Sequence, residues 1–516
     1  MALTAGIETK WWTLIAISLV FLPLNIDFYG IVVALPTIGR ELGASTTSLA
    51  WTVNAFILGM AGPLVAMGRL GDILGRRKIV LIGLALFGAA SMVCGMAEAE
   101  WQLIAGRAAQ GVGSAMYFGL GLSIISNAFP LAERALAIGI FGAVGGLGSA
   151  IGPLVGGALT EALSWRWFFF VNVPFVLAGM ALIAAKVPES RDETASGILD
   201  LPGGGSVTAG FVLLVLGLQQ GQRLGFLAPS VATSLVGGVL TLCGFIAMER
   251  RSRAPLIDLA VFANVDFLGA TAVAFLANYA FGATMFFLTL YLQLILGYDP
   301  IKTGLFFIAF SIPFMLVGLG CGTIARIAGV RPAMAGGMLI LAISFVLLAA
   351  IGPASGYGLV LAGLIVSGVG QGLAFNLSTT AAMSSIAEDK AGTASGILTA
   401  IRIVGVAVGV AATGVLVRSL ESAKAAALVA AAGGSLSAEA KADLGQMLSG
   451  SPEAAAALAK LAPIVAERVE DIVRTSFDAG FTAGMLLCLA VSILGTGLAV
   501  LIKSRSVGAP SAPMSA

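Results

Sequence analysis

Long, nearly uncharged apolar stretches recur along almost the whole of this chain. We count fourteen, near residues 11–36, 48–68, 78–98, 101–128, 135–160, 165–187, 203–219, 230–248, 266–292, 303–325, 332–352, 357–383, 393–418 and 478–503. A helix needs about 20 such residues to cross the hydrocarbon core of a bilayer. Hydrophobic residues make up 58% of the chain and charged residues only 10%, which excludes a soluble globular protein. The sequence therefore predicts an all-α integral membrane protein with fourteen transmembrane helices.

The distribution of basic residues predicts how these helices are oriented. An even number of spans places both termini on one side, and the segments on that side carry most of the arginines and lysines, including Arg76, Arg77, Arg250 and Arg251. Basic loops tend to stay in the cytoplasm. We therefore expect a multi-pass protein of the cell (inner) membrane with cytoplasmic N- and C-termini. The polar stretch 419–477 then lies outside, where its composition predicts short amphipathic helices over the outer mouth.

The two ends of the chain contain related sequences. Gly68 and Gly75 recur 254 residues later as Gly322 and Gly329, and the run Gly-Val-Gly at 111–113 recurs at 368–370. The glycines of span 5 recur in span 13 in the same way. This repeat predicts an N-terminal six-helix bundle over 1–190, a central linker with two inserted helices over 191–262, and a C-terminal six-helix bundle over 263–516.

Asp27 and Arg107 are the charged residues that lie deepest in the apolar segments of the first half. The chain contains no histidine, so proton transfer has to use carboxylates. The predicted depths of Asp27 and Arg107 differ by only about 5 Å at ~1.5 Å per helical residue. We expect this pair to gain and lose a proton, because a charge inside a span is costly and usually functional. The alternative is a static structural ion pair. The second half keeps neither charge, since Leu364 replaces Arg107, and a one-sided pair favours the functional interpretation.

The remaining composition excludes several kinds of site. The four cysteines lie in apolar segments and form no metal-ligand pair, and no glycine precedes a lysine as a phosphate-binding loop requires. We therefore expect no metal, no cofactor and no enzymatic activity.

Span 5 is rich in small residues. Gly142, Gly145, Ser149, Gly152 and Gly156 follow one another at three- and four-residue steps, which predicts a smooth helix face for close packing. Pro153 predicts a kink, whereas Val410 stands at the matching position of span 13. Tight packing alone is one interpretation, and a hinge or seal between the halves is the other.

Several motifs, in this order and spacing, resemble the fourteen-helix drug:proton antiporter family of the major facilitator superfamily. The charged glycine-rich turn at 68–78 resembles its loop between helices 2 and 3, and Asp27 with Pro36 resembles its first-helix motif. Residues 107–113, 148–157 and 165–174 resemble its fourth-helix, fifth-helix antiporter and sixth-helix entry motifs. Tyr29 and Val32 stand where that family usually has Thr and Asn, so the resemblance leaves the substrate open.

The resemblance implies roles for these residues. Asp27 and Arg107 would couple transport to protons, and the fifth-helix antiporter motif would comprise Gly148, Gly152, Pro153, Gly156 and Gly157. A conformational latch on the cytoplasmic side would comprise Gly68, Gly71, Asp72, Gly75, Arg76 and Arg77. A solvated loop that only sets the topology is the alternative for 68–78.

The function that this implies is a proton-coupled efflux antiporter. It would export lipophilic drugs or toxic compounds, cationic or not, driven by the proton gradient. An exporter of one endogenous metabolite or lipid and a non-transporting sensor on the same fold remain alternatives, whereas the Gly152-Pro153 motif argues against an inward symporter. The expected partners are the lipid bilayer, a lipophilic small molecule and protons; a periplasmic adaptor stays an open alternative, and no nucleic acid is expected.

Polar and aromatic residues inside the spans are the candidates for substrate binding, because such side chains prefer the interior of a helix bundle. The candidates are Tyr29, Asn54, Gln110, Met116, Tyr117, Asn278, Phe286, Tyr291, Gln293, Gln371, Asn376 and Arg402. Arg402 is a second buried base, which binds a substrate or a carboxylate, or else anchors span 13 to backbone carbonyls.

Overall fold

The structure, a computed structural model, describes residues 8–44, 46–191, 201–225, 228–251, 259–298, 300–352, 357–387, 390–431 and 469–501. All regular structure in these ranges is helical. The helices are α1 (Thr9–Leu42), α2 (Thr46–Ala61), α3 (Leu64–Leu74), α4 (Arg76–Gly95), α5 (Glu100–Ala128), α6 (Leu131–Ala162), α7 (Trp165–Phe170), α8 (Asn172–Lys186), α9 (Leu201–Leu224), α10 (Pro229–Glu249), α11 (Val265–Leu290), α12 (Pro300–Ala328), α13 (Val330–Ala349), α14 (Tyr357–Ser384), α15 (Ala391–Ala431) and α16 (Val469–Leu501). A 3-10 turn (Leu259–Ala263) precedes α11, and a π-helical turn (Tyr291–Ile295) follows it.

The predicted all-α membrane fold is confirmed. Among the described residues, 12 helices are long and apolar enough to cross a membrane, and the bent pair α2–α3, with an angle of 47°, makes up to 13. The remaining predicted span corresponds to a shorter apolar segment, Pro202–Leu218, within α9. Every one of the fourteen predicted stretches therefore falls on helix.

Two segments predicted to lie between spans are helical where the structure describes them. The sequence predicts a turn at 68–78, but α3 continues to Leu74 and α4 begins at Arg76, so that only Gly75 lies between them. Gly75 has a φ of 109°, which other residues rarely adopt. The predicted outer loop at 419–477 is also helical where it is described, because α15 continues to Ala431 and α16 begins at Val469. The rest of that stretch lies outside the described residues.

The repeated glycines occupy equivalent packing positions in the two halves. A Cβ on Gly111 would lie 2.3 Å from the Phe56 carbonyl oxygen, and a Cβ on Gly368 would lie 2.1 Å from that of Phe310. Phe56 and Phe310 are separated by the same 254 residues as the repeat of Gly68. Both contacts leave no room for a side chain, so the repeat has a structural basis in close helix packing.

The small residues of α6 form two faces instead of the single face that the sequence predicts. Gly145, Gly148, Gly152 and Gly156 lie against α1, whereas a Cβ on Gly142 would meet the side-chain oxygen of Asn376 on α14. The reason is geometric. Successive residues of an α-helix are about 100° apart around its axis, so Gly142 lies about 60° from Gly145 and about 120° from Gly148. Helix α6 is thereby packed against its own half on one face and against the second half on the other. The side chain of Pro153 lies outside the described residues.

Candidate functional site

A buried hydrogen-bond network surrounds Asp27 in the middle of α1. Arg107 of α5 forms a salt bridge with the Oδ2 atom of Asp27, and both side chains are at most 1% exposed. Asn172 donates from Nδ2 to the Oδ1 atom of Asp27 at 2.9 Å, and Gln110 donates to the same oxygen at 3.4 Å. The carboxylate thus accepts from three side chains on two other helices, all of which stabilise its negative charge.

Arg107 has partners besides Asp27. Its Nη1 atom also donates to the side-chain oxygen of Gln110 at 2.9 Å, and its Nε atom donates to the Thr52 carbonyl oxygen at 3.3 Å. The guanidinium lies 4.2 Å from the centroid of the Phe56 ring. These contacts hold the arginine in place by hydrogen bonds and a cation–π contact that do not involve Asp27.

Gln110 extends the network to α4. Its Nε2 atom donates to the Ser91 hydroxyl at 2.7 Å, and its Oε1 atom accepts a long hydrogen bond from the Cys94 thiol at 3.6 Å. Residues of α1, α2, α4, α5 and α8 therefore meet around one carboxylate.

Asn172 and Ser91 are two members of this network that sequence reasoning does not single out as site residues; Thr52 and Cys94 are two more. Asn172 lies inside the motif at 165–174, directly after the short break between α7 and α8. An asparagine among apolar residues of a span is the signal that could have found it. Ser91 carries no comparable signal, because serine is common in membrane helices.

Asp72 links the two halves at one end of the bundle. Its Oδ1 atom accepts from the Nε and Nη2 atoms of Arg76 at 2.8 and 2.7 Å. Its Oδ2 atom accepts from the backbone N–H and the hydroxyl of Thr393 at 2.8 and 2.9 Å. Thr393 lies in the first turn of α15, where unpaired N–H groups favour an anion. The Asp72 side chain is fully buried.

The glycines of this segment permit its close packing. Gly68 and Gly71 lie within α3, and a Cβ on Gly71 would lie 2.4 Å from the side chain of Leu120 on α5. A Cβ on Gly75 would lie 2.7 Å from the carboxyl carbon of Glu189. Glu189 accepts from the backbone N–H groups of Arg77 and Lys78 at 2.9 and 3.2 Å. The segment after α8 thereby caps the first turn of α4, a contact that sequence reasoning missed.

The candidate substrate residues have different surroundings. Gln110 belongs to the Asp27 network, and Tyr117 is fully buried and donates to the Ile17 carbonyl oxygen. Met116 packs against Gly83 of α4. Tyr29 and Asn54 are half-buried.

The candidates of the second half also have different partners. Phe286 is 43% exposed, and Tyr291 donates to the Asp478 carboxylate of α16 at 2.8 Å. Asn278 donates to the Ala274 carbonyl oxygen within its own helix. Gln371, Asn376 and Arg402 are buried, and Gln293 is half-buried. The Oδ1 atom of Asn376 faces Gly142 of the first half.

Comparison with known proteins identifies the family. The family model of the Major Facilitator Superfamily matches residues 15–410. The chain belongs to the Major Facilitator Superfamily. It is therefore a multi-pass membrane transporter that acts on small molecules.

Several relatives within the superfamily are named as multidrug resistance or efflux proteins. The multidrug resistance protein Stp of Mycobacterium tuberculosis is 33% identical over 79% of this chain and 76% of its own length. The multidrug efflux pump LfrA of Mycolicibacterium smegmatis is 30% identical over 95% of this chain and 97% of its own. Among solved structures, the human organic anion transporter MFSD10 (TETRAN) superposes with a TM-score of 0.61 at 14% identity, over 96% of this chain and 100% of its own. This last similarity concerns the fold alone.

Proposed function

We propose that this transporter is a proton-coupled antiporter that exports lipophilic drugs or toxic compounds. The names of its relatives, multidrug resistance protein and multidrug efflux pump, support the direction and the substrate class. The observation that carries the proton coupling is the buried Asp27 carboxylate with its salt bridge to Arg107.

In this mechanism, Asp27 alternates between an ionised form and a protonated form. The ionised form has the three donors described above, and it ties α1 to α5 and α8. A proton on the carboxylate removes the attraction to Arg107, which keeps its contacts with Gln110 and Thr52. The tie between α1 and its neighbours is then weakened without leaving Arg107 unsupported. Such a change of charge at a buried site is what allows a proton to bias a conformational equilibrium.

The Oδ1 atom of Asn172 has no hydrogen-bond partner among the described residues. A protonated Asp27 needs an acceptor for its O–H group, and an Asn amide offers either a donor or an acceptor when it rotates by half a turn. Asn172 can therefore follow the protonation state of Asp27, donating to the carboxylate and accepting from the acid.

The Asp72–Thr393 contact controls access to the end of the helix bundle where α3 meets α15. It joins α3 of the first half to α15 of the second, so that this end of the bundle is closed when the contact is formed. With residues 68–78 on the cytoplasmic side, as the basic residues favour, the structure corresponds to a state closed towards the cytoplasm. Breaking the contact is required before the substrate enters from that side.

The coupling is tested in everted membrane vesicles that are energised by respiration, with a pH-sensitive dye inside. Addition of a transported drug should release protons and collapse part of the gradient. Asp27→Asn should abolish this response. Glu41→Gln is the matched control, because Glu41 is on the same helix but forms a half-exposed ion pair with Arg166 at 2.9 Å; it should respond like the parent protein. A normal response of Asp27→Asn would contradict the assignment.

Transport itself is tested in purified form. Reconstituted protein should exchange a labelled drug across the liposome membrane when unlabelled drug is present on the other side. A non-transporting sensor would bind the drug without counterflow, and an exporter of a single metabolite would show counterflow with one compound of a chemically diverse panel.

The orientation remains part of the proposal: an inner-membrane protein with both termini in the cytoplasm. A cysteine at Ser437, with the four native cysteines removed, should react with a membrane-impermeant thiol reagent on intact cells. Labelling only after lysis would reverse the orientation.

A further inference from the structure

Arg402 is a buried cation that forms no salt bridge with an acid in the described part of the chain. Its side chain on α15 is 8% exposed. It donates from Nη2 to the Phe375 carbonyl oxygen at 3.0 Å and to the Thr379 hydroxyl, both on α14. Its Nε atom has no hydrogen-bond partner among the residues that the structure describes.

A buried guanidinium in this condition is unusual. Arg107, at a comparable degree of burial, has Asp27 as its counter-ion. Removing a charge from water is costly unless an opposite charge compensates it. Carbonyl and hydroxyl oxygens supply hydrogen bonds to Arg402, but they do not neutralise it. The site therefore favours a ligand that brings a negative charge.

An aromatic row leads away from this arginine. The guanidinium lies 3.9 Å from the centroid of the Phe375 ring. The rings of Phe375 and Phe314 are 5.8 Å apart, those of Phe314 and Phe310 are 5.9 Å apart, and those of Phe310 and Phe281 are 5.6 Å apart. The row connects α14, α12 and α11. Its two end rings are half-buried while its middle rings are buried.

The row lies where the second half meets the first. A Cβ on Gly146 of α6 would lie 2.4 Å from the Phe314 ring. Arg402 is nine residues along α15 from Thr393, which corresponds to about 14 Å along the helix axis. Arg402 therefore lies within the candidate membrane span Thr393–Ala431, between the latch and the opposite end of α15.

We propose that this transporter binds aromatic acids, with the carboxylate or phenolate group on Arg402 and the ring system against the Phe375–Phe314 row. This inference rests on the proposed export function and names its substrate class. A planar ring offers the edge-to-face and offset contacts that Phe side chains favour. An anionic oxygen supplies both the missing partner of Nε and the missing counter-ion.

Three probes with one ring system test the proposal. They are 1-pyrenecarboxylate, its neutral methyl ester and the cationic 1-pyrenemethylammonium, titrated by fluorescence into the purified full-length protein. The parent protein should bind the carboxylate about tenfold more tightly than the ester, the scale of one charge-assisted hydrogen-bond contact, and should bind the ammonium most weakly. Equal binding of the three probes, or preference for the ammonium, would overturn the proposal without any variant.

Variants separate recognition from a structural role. Arg402→Gln should lose the preference for the carboxylate and keep the affinity for the ester, whereas Arg402→Lys should retain part of the preference. Thr379→Val removes a hydrogen bond that orients Arg402 but leaves its charge, so it should keep the preference for the carboxylate. If Arg402 only anchors α15 to α14, Arg402→Gln and Thr379→Val will both weaken the binding of all three probes alike, or neither variant will change the preference for the carboxylate. Either outcome overturns the proposal.

Counterflow of the same probes distinguishes this inference from the export function. If the protein exports a cationic dye but binds the three pyrene probes equally well, the export function stands and the acid site is refuted. Counterflow of no compound in the panel would refute the export function itself, while the binding titration would still decide whether Arg402 selects the acid.

Discussion

The two halves meet through two copies of one turn, and the copies differ in chemistry. In the first copy, Gly75 has a φ of 109°, and the buried Asp72 reaches Thr393 of the second half. In the second copy, Gly329 has a φ of 83°, and Arg326 replaces the acid and is exposed. Similar backbone geometry thus carries a buried acid in one half and an exposed base in the other.

The partners of the two turns differ in the same way. Thr393 and Leu136 are related by the 257-residue offset of the glycine repeats. Gly322, the counterpart of Gly68, packs against Leu136, since a Cβ on Gly322 would lie 2.9 Å from the Leu136 Cβ atom. One contact is an anion at a helix N-terminus, and the other is apolar packing. Only the first can be broken by a change in charge or hydrogen bonding, which makes it the contact suited to switching.

The charged network shows the same asymmetry. Gly148 packs against Leu22 and Asn25, and its counterpart Gly405 packs against Phe275 and Asn278. Residues of α1 thus correspond to residues of α11 at one constant offset, and this offset places Ala280 at the position of Asp27. Ala280 and Leu364 are fully buried. The second half has therefore kept the packing frame and replaced the paired charges by apolar side chains, whereas its own buried base, Arg402, has no acid paired with it in the described residues.

The largest expected effect concerns the shared packing frame. A Cβ on Gly409 would lie 2.1 Å from the Tyr279 carbonyl oxygen, whereas a Cβ on Gly152 would lie 3.1 Å from that of Ile26. We expect Gly409→Ala to destabilise the protein by about 3 kcal/mol and Gly152→Ala by about 1 kcal/mol, because the first contact overlaps a backbone atom severely whereas the second needs a much smaller backbone shift. Gly336→Ala, which meets nothing within 4 Å, is the control. Unfolding in detergent micelles measures the stability of the three variants. Equal losses of stability in Gly409→Ala and Gly152→Ala would contradict this ranking.

Asp27→Asn should have the next largest effect, on coupling and not on folding. The amide keeps the shape of the side chain but removes the charge that attracts Arg107. Proton-driven efflux should therefore fall to the level of vesicles that lack the transporter. Ala280→Ser is the matched change in the second half and should leave coupling intact. The measurement is drug uptake into energised everted vesicles. If Ala280→Ser also lost coupling, the two halves would share the function that we assign to one.

A smaller effect is expected from the latch acid. Asp72→Asn leaves one oxygen for the two groups that Asp72 accepts from, Arg76 and Thr393, and removes the anion from the N-terminus of α15. Transport should slow by about tenfold, the scale of one lost charge-assisted contact. Arg326→Asn alters the exposed counterpart and should leave the rate unchanged. Rates of drug efflux from loaded cells decide between these outcomes, and an equal loss in both variants would mean that the two turns act alike.

Sequence reasoning predicted the parts of this structure that depend on long patterns. Apolar stretches located the spans, and helical rise alone placed Arg107 within reach of Asp27. It failed where the outcome depends on contacts between distant segments. Asn172 and Thr393 meet Asp27 and Asp72 from more than a hundred residues away, and no local pattern shows which acid each of them contacts. The prediction that the whole of 68–78 is a turn was wrong, because only Gly75 separates α3 from α4. Glycines that permit close helix packing look the same in the sequence as glycines that end a helix.

The smallest expected effect isolates the cross-half hydrogen bond within the latch. Thr393→Val removes the hydroxyl donor to Asp72 but keeps the backbone N–H donor, so it should weaken the latch by about 1 kcal/mol, a roughly fivefold shift towards the open end. Ser395, fully buried two residues further along α15, supplies the reporter: a cysteine at 395, in a background without the native cysteines, should react about fivefold faster with a maleimide. Thr380→Val, which removes a hydroxyl hydrogen bond inside α14 at 2.9 Å, should leave that rate unchanged.

In an Asp72→Ala background, Thr393→Val should have no further effect, because the acceptor of the hydroxyl hydrogen bond has gone. Equal acceleration with and without Asp72 would show that Thr393 acts through packing, and the contrast between a polar and an apolar turn would then lose its mechanistic meaning.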